Sequence, residues 1–154
     1  MRMYQNLQNH KEQGHDIVAV SAGGGSKSEL GNLAYTVALR QDGTVTTTHT
    51  GSIAEEINNW TNIVAISAGD FHTVGLKSDG TVVTTQTGDS AKAISEWTDI
   101  VAVSAGYGFT LGLKSDGTIV ATGFDKNNQI DTDDWNNIMT YEEEWNSIFD
   151  ENLK

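Results

Sequence analysis

The chain contains no cysteine, so disulfide staples are excluded and so is any metal site built on thiolates. Basic residues are scarce: nine Lys and Arg stand against twenty-one Asp and Glu, a formal net charge of −12. A surface of that sign repels phosphate backbones and lacks a basic stripe, which argues against a nucleic-acid partner. The acidity gathers in the tail, where nine acidic residues face two basic ones from Asp125 onward. Long apolar runs are missing too, because polar or charged residues interrupt every stretch well short of a membrane span. The first fifteen residues, MRMYQNLQNHKEQGH, have no apolar centre and do not form a secretory signal. No membrane partner is expected, and cytoplasmic residence is the default.

What the chain does have is repetition. WTNIVAISAGDFHTVGLKSDGTVVTT, from Trp60 to Thr85, recurs as WTDIVAVSAGYGFTLGLKSDGTIVAT from Trp97 to Thr122. A third, interrupted copy starts at Asp16 as DIVAVSAG and resumes at Thr36 as TVALRQDGTVTTT. A step of about forty residues marks a repeat architecture. In each copy a β-branched run ends in Ala-Gly, and two shorter strand-like runs follow, joined by Asp-Gly (Asp42-Gly43, Asp79-Gly80, Asp116-Gly117). Asp-Gly between strands indicates a hairpin, here expected as a tight primed turn. The run IVAISAG suits a strand buried on both faces.

Three divisions follow: a polar segment 1–15, repeats over 16–60, 61–97 and 98–138, and an acidic tail 139–154. Tyr141, Trp145, Ile148 and Phe149 space the tail as a helix. A fourth copy begins at Asn137-Ile138 and then dissolves. The connectors GSIAEEINNW and GDSAKAISEW place Ile53, Ile57 and Trp60, then Ala91, Ile94 and Trp97, at helical spacing, with Ser52 as an N-cap. Trp60, Trp97 and Trp135 are expected as structural anchors, since each stands just before a core strand.

Three chemical motifs fail on inspection. Gly23-Gly24-Gly25-Ser26-Lys27 lacks the spacing of a phosphate loop and leads to a strand, not a helix. The run Asp125, Asn127, Gln129, Asp131, Asp133 resembles a calcium loop but holds Ile130 and Asn136 where Gly and Glu are required. His10 and His15 lie five apart and do not share a helix face. No cofactor and no tightly held transition metal are expected, and no nucleophile–base spacing suggests an enzyme.

The words SAGDFHTVGLKSDGTVVTT and SAGYGFTLGLKSDGTIVATG resemble the repeat of the regulator-of-chromosome-condensation family, particularly its bacterial form, over about residues 16–138. The resemblance implies an all-β protein of propeller-type four-stranded blades around a channel, with no enzyme chemistry. Members of that family act as protein-binding platforms, among them a nucleotide-exchange factor for a small GTPase and a secreted inhibitor of β-lactamase. This chain departs in number, coding about three blades where the family ring usually has seven. Three blades leave outward faces uncovered, so a homodimer closing a six-bladed ring is expected. The position of His72 holds Tyr35 and Phe109 in the sister copies, which points to packing.

The first copy carries eleven residues, Gly24–Ala34, where its sisters use two. A flexible insertion on a rigid scaffold is a natural recognition element. The candidate partner-binding residues are therefore Ser26, Lys27, Glu29 and Asn32 in that insertion, with Asp70, Phe71 and Tyr107 at the equivalent turns. The main expectation is a non-enzymatic protein that binds or inhibits a macromolecular partner. The alternative is a trap for a small polar or nucleotide-like ligand, with Lys27, Arg40, His72 and Tyr107 as contacts.

Overall fold

The computed structural model describes residues 16–24, 27–28, 31–32, 34–136 and 138. Within them the chain folds as three antiparallel three-stranded sheets that follow one another in sequence. The first blade pairs β1 (Ile17–Gly23), β4 (Tyr35–Arg40) and β5 (Val45–Thr47), with a short ladder of β2 (Lys27–Ser28) on β3 (Gly31–Asn32) inserted between β1 and β4. The second joins β6 (Ile63–Ala68), β7 (Thr73–Lys77) and β8 (Val82–Thr84). The third joins β9 (Ile100–Ala105), β10 (Phe109–Lys114) and β11 (Ile119–Gly123). Helices α1 (Gly51–Asn58) and α2 (Gly88–Ser95) link the blades.

The core lies between blades, not within them. Val37, Leu39 and Val45 of the first blade pack with Ile63 and Trp60 at the start of the second, and with Ile66 and Ala68. Val74, Leu76 and Val82 repeat the arrangement against Trp97, Ile100, Val103 and Ala105. Each such aliphatic side chain contributes about 1.5–3 kcal/mol when fully buried, so every blade depends on the next for its stability. Ile57 and Ile94, both fully buried, fix the two helices by one apolar face each.

Several expectations are corrected. The blades have three strands, not four, because the connectors carry isoleucines at helical spacing and form helices. Ser52 is not the N-cap; Thr50 and Thr87 hold those extended positions without a side-chain cap bond, and Gly51 opens α1. The first strand of each blade (β1, β6 and β9, the inner strands below) is not buried on both faces. Val18, Val64 and Val101 each sit at a break in the pairing register, as between Ile63 and Ala65, and the bulge turns them to solvent.

The hairpins are not two-residue primed turns. The amide of Gly80 donates to the Lys77 carbonyl, only the glycine has positive φ (+80°), and the loop spans three residues. Asp79 stays out of the left-handed region; its carboxylate instead accepts from the Thr81 amide at 3.0 Å and its hydroxyl at 2.6 Å. Asp42–Thr44 and Asp116–Thr118 repeat the motif.

Trp60 and Trp97 are buried anchors, each lying over a middle-strand glycine. A Cβ on Gly75 or Gly112 would come within 3.1 Å of the indole. Trp135 is not an anchor: it is 55% exposed, and it precedes Ile138 with no described fourth sheet to cover. The Ile138 amide still donates to the Gly117 carbonyl at 3.2 Å, as Ile63 does to Gly43 and Ile100 to Gly80. The fourth copy therefore begins in register. Among the described residues no helix is long and apolar enough to cross a membrane. The polar segment with His10 and His15, and the tail helix expected over 139–154, lie outside the described residues.

Candidate recognition face

Every inner strand ends in a small-residue pair, and the chain turns back there at one end of the blade. The turns after β1, β6 and β9 and the exits of β5, β8 and β11 share this end, because Tyr35 pairs with Gly23 and Phe109 with Gly123. The Asp-Gly hairpins occupy the other. Close approach is required at the turn end: a Cβ on Gly23 would run into the Gly69 carbonyl oxygen, and one on Gly69 into that of Gly106. Backbone bonds cross there as well, from the Gly24 amide to Gly69 at 3.0 Å and from the Asp70 amide to Gly106 at 3.3 Å.

Beneath this end runs a polar latch between blades. The Tyr35 hydroxyl donates to the His72 carbonyl at 2.7 Å, with the Gly69 carbonyl at 3.1 Å, and accepts from the Thr73 hydroxyl at 3.0 Å. In the next seam His72 takes the place of Tyr35, its Nε2 lying 2.7 Å from the Thr110 hydroxyl. Thr110 donates to Gln86 Oε1 at 3.3 Å, and Gln86 Nε2 donates to the Gly108 carbonyl at 3.3 Å. That run of donors assigns the proton to His72 Nε2 and leaves Nδ1 as a buried acceptor without a partner. Burial pushes the His72 imidazole below its ordinary range and the Tyr35 phenol above its own, so both stay neutral.

Above the latch is an exposed aromatic row. Phe71 and Tyr107 meet edge to face with ring centroids 4.9 Å apart, and Tyr107 meets Phe124 at 6.1 Å. Each of the three is about half exposed. Phe71 and Tyr107 sit at equivalent turns of successive blades, so the repeat step itself brings them together. Sequence reasoning missed Phe124. The signal was there, since it stands where Thr50 and Thr87 open helices in the other repeats, and its copy has no helix. Instead Gln129 bonds the Phe124 carbonyl at 2.7 Å and the Asn127 amide at 2.8 Å, and Asp125 accepts from the Ile130 amide at 3.3 Å. Three of the residues that resembled a calcium loop, Asp125, Asn127 and Gln129, thus close the loop that carries Phe124.

The remaining candidates divide sharply. Lys27 pairs with Asn32 across the β2–β3 ladder, so this part of the insertion is a hairpin and not an irregular loop. Ser26 and Glu29 lie outside the described residues. Asp70 is beside Phe71 at the same turn. The small-ligand set is not brought together. Arg40 ends β4 at the hairpin side, about 17 Å of strand from the turn end, and its guanidinium reaches the Thr44 hydroxyl at 3.4 Å. His72 is 2% exposed, so it is a packing and latch residue, not a ligand contact.

The model of the regulator of chromosome condensation (RCC1) repeat matches residues 63–85 and 100–129. The second and third blades are thus similar to the RCC1 repeat. No curated protein sequence matches the chain. Among solved structures, Prp20p from Saccharomyces cerevisiae superposes with a TM-score of 0.55 at 16% identity, over 79% of this chain and 34% of that one. The WD40 ectodomain of the Arabidopsis thaliana receptor kinase ACR4 gives a TM-score of 0.48 at 21% identity, over 71% of this chain and 37% of that one. The chain spans about a third of the length of these structures. The likeness to Prp20p, together with the match to the RCC1 repeat, shows a propeller-type all-β fold.

Proposed function

We propose that this chain is a non-enzymatic recognition protein that binds a protein partner through the turn end of its blades, with Phe71, Tyr107 and Phe124 as the central contact. The exposed aromatic row carries the reading. Half-exposed rings held edge to face on a rigid blade supply large contact area at low entropic cost, and such anchors dominate binding energy. The β2–β3 ladder of the insertion follows the same kind of turn in the first blade. Prp20p, the similar yeast structure, was studied for binding to Gsp1p and histones, which suits a protein partner here. The net charge of −12 disfavours nucleic acid as that partner. A second copy of the chain closes the arc of blades into a ring.

The test is affinity capture with the wild-type chain and with Phe71→Ala/Tyr107→Ala, alongside thermal-shift screening against nucleotides and polar metabolites. Capture of a defined protein, lost in the double variant at unchanged circular dichroism, is expected. Capture that survives the double substitution, or strong stabilisation by a small molecule with no protein captured, overturns the reading.

A further inference from the structure

The two seams inside the chain are built alike. A trailing face of three aliphatic side chains receives the inner strand of the next blade, and a serine hydroxyl on the trailing blade accepts an amide from that strand. Ser21 Oγ accepts from Ala68 at 3.0 Å, and Ser67 Oγ from Ala105 at 3.0 Å. Among the described residues both halves of such a seam are found open, one on the first blade and one on the third. Ile17 and Val20 on β1 are 49% and 70% exposed, whereas Ile63 and Ile100, the counterparts of Ile17, are each 3% exposed. At the other end Leu111, Leu113 and Ile119 stand where Val74, Leu76 and Val82 are buried, and with Ser104 they line an open cavity of about 180 Å³.

The two open halves also match in sequence. Ile17–Gly23 is IVAVSAG, residue for residue the same as Ile100–Gly106, which already packs on a trailing face of this kind. We infer that β1 of a second copy of this chain docks on the trailing face of the third blade, head to tail, as the inner strand of a following blade. This rests on the ring closure proposed above and specifies its joint. Val20 of one copy enters the Leu111–Leu113–Ile119 cavity of the other, and Ser104 Oγ accepts the Ala22 amide, as Ser67 accepts that of Ala105.

Two features set this joint apart from the internal ones. The latch position holds Phe109, which has no hydroxyl or imidazole to reach Thr36 of the docked copy, so the joint is weaker and reversible. Ile138 already bonds the Gly117 carbonyl at 3.2 Å and is displaced when Ile17 takes that seat. Two such joints, related by a two-fold axis along the channel, close two chains into six blades.

The experiment is light scattering across a concentration series on the full chain, Val20→Asp, Ile17→Asp and Leu113→Asp, with circular dichroism on each. Because Val20 and Ile17 are exposed in the single chain, their variants fold even if Leu113→Asp does not. Each substitution is expected to weaken association by at least about 100-fold, the scale on which burying an unpaired charge acts. Mixing Val20→Asp with Leu113→Asp restores one intact joint and gives a heterodimer where each alone is monomeric. A wild type that stays monomeric removes both the closure and the joint. A dimer that survives Val20→Asp and Ile17→Asp keeps the closure and overturns the joint. Association of Leu113→Asp alone, as tight as wild type, shows a head-to-head dimer and also overturns it.

Discussion

Replacing Tyr35 with Phe deletes one oxygen from the seam between the first two blades, and its cost can be followed atom by atom. The ring itself fits, because Phe109 occupies the same position in the third blade. Both carbonyls that face the hydroxyl keep a backbone partner: His72 still accepts from the Gly69 amide at 2.8 Å, and Gly69 from the Gly24 amide at 3.0 Å. The group left stranded is the Thr73 hydroxyl, which is 1% exposed and points at Tyr35. An orphaned buried hydroxyl costs about 1–2 kcal/mol. For a chain of this length that lowers Tm by about 2–8 °C. Urea unfolding followed by tryptophan fluorescence reads it directly. Adding Thr73→Val removes the orphan, so the double variant is expected to be more stable than the sum of the singles by about 0.5 kcal/mol or more. A Tyr35→Phe variant within about 0.3 kcal/mol of wild type, or strictly additive singles, would show that the latch contributes nothing beyond packing.

Gly69→Ala should destabilise by more than about 2 kcal/mol, because its Cβ meets the Gly106 carbonyl and the inner strands must separate. Gly88→Ala, in open space at φ +67°, should cost only about 1 kcal/mol; equal losses in thermal melts would refute the close-approach argument. Stability should fall as pH drops below about 6.5, since the unfolded chain then takes up a proton on His72 that the buried native imidazole refuses. His49, also pushed down by burial, acts in the same direction, and His72→Phe should flatten part of the slope in urea titrations between pH 7 and 5. Hydrogen bonds from Thr81 and Thr118 hold the Asp79 and Asp116 carboxyls below their usual 3.8, so a second loss begins only as pH falls through the carboxylate range. Asp79→Asn should shrink that second loss without touching the first.

The sequence by itself determined the order of the repeated elements, though not the short β2–β3 ladder of the insertion. The repeat at one offset placed nine strands in three sheets, and the isoleucine spacing in the connectors located both helices. These are local properties: β-branched runs, hairpin glycines and one-sided helices are legible because each depends on neighbours a few residues away. The anchoring of Trp60 and Trp97 was legible from their repeated place just before a strand, although each covers a glycine fifteen residues on and packs against the preceding blade. Trp135 was misjudged because its burial depends on a sheet that the motif alone does not supply. The tertiary structure decided what lies across a seam. That Tyr35 and His72 are equivalent latches, that Val18, Val64 and Val101 turn outward at bulges, and that Arg40 stands a strand's length from Tyr107 all follow from how blades stack. Phe71 and Tyr107 were singled out one at a time, but only the stacking brought their rings to 4.9 Å and added Phe124. A sequence records the residues of each blade, whereas contact between blades depends on where an entire sheet is carried by the one before it.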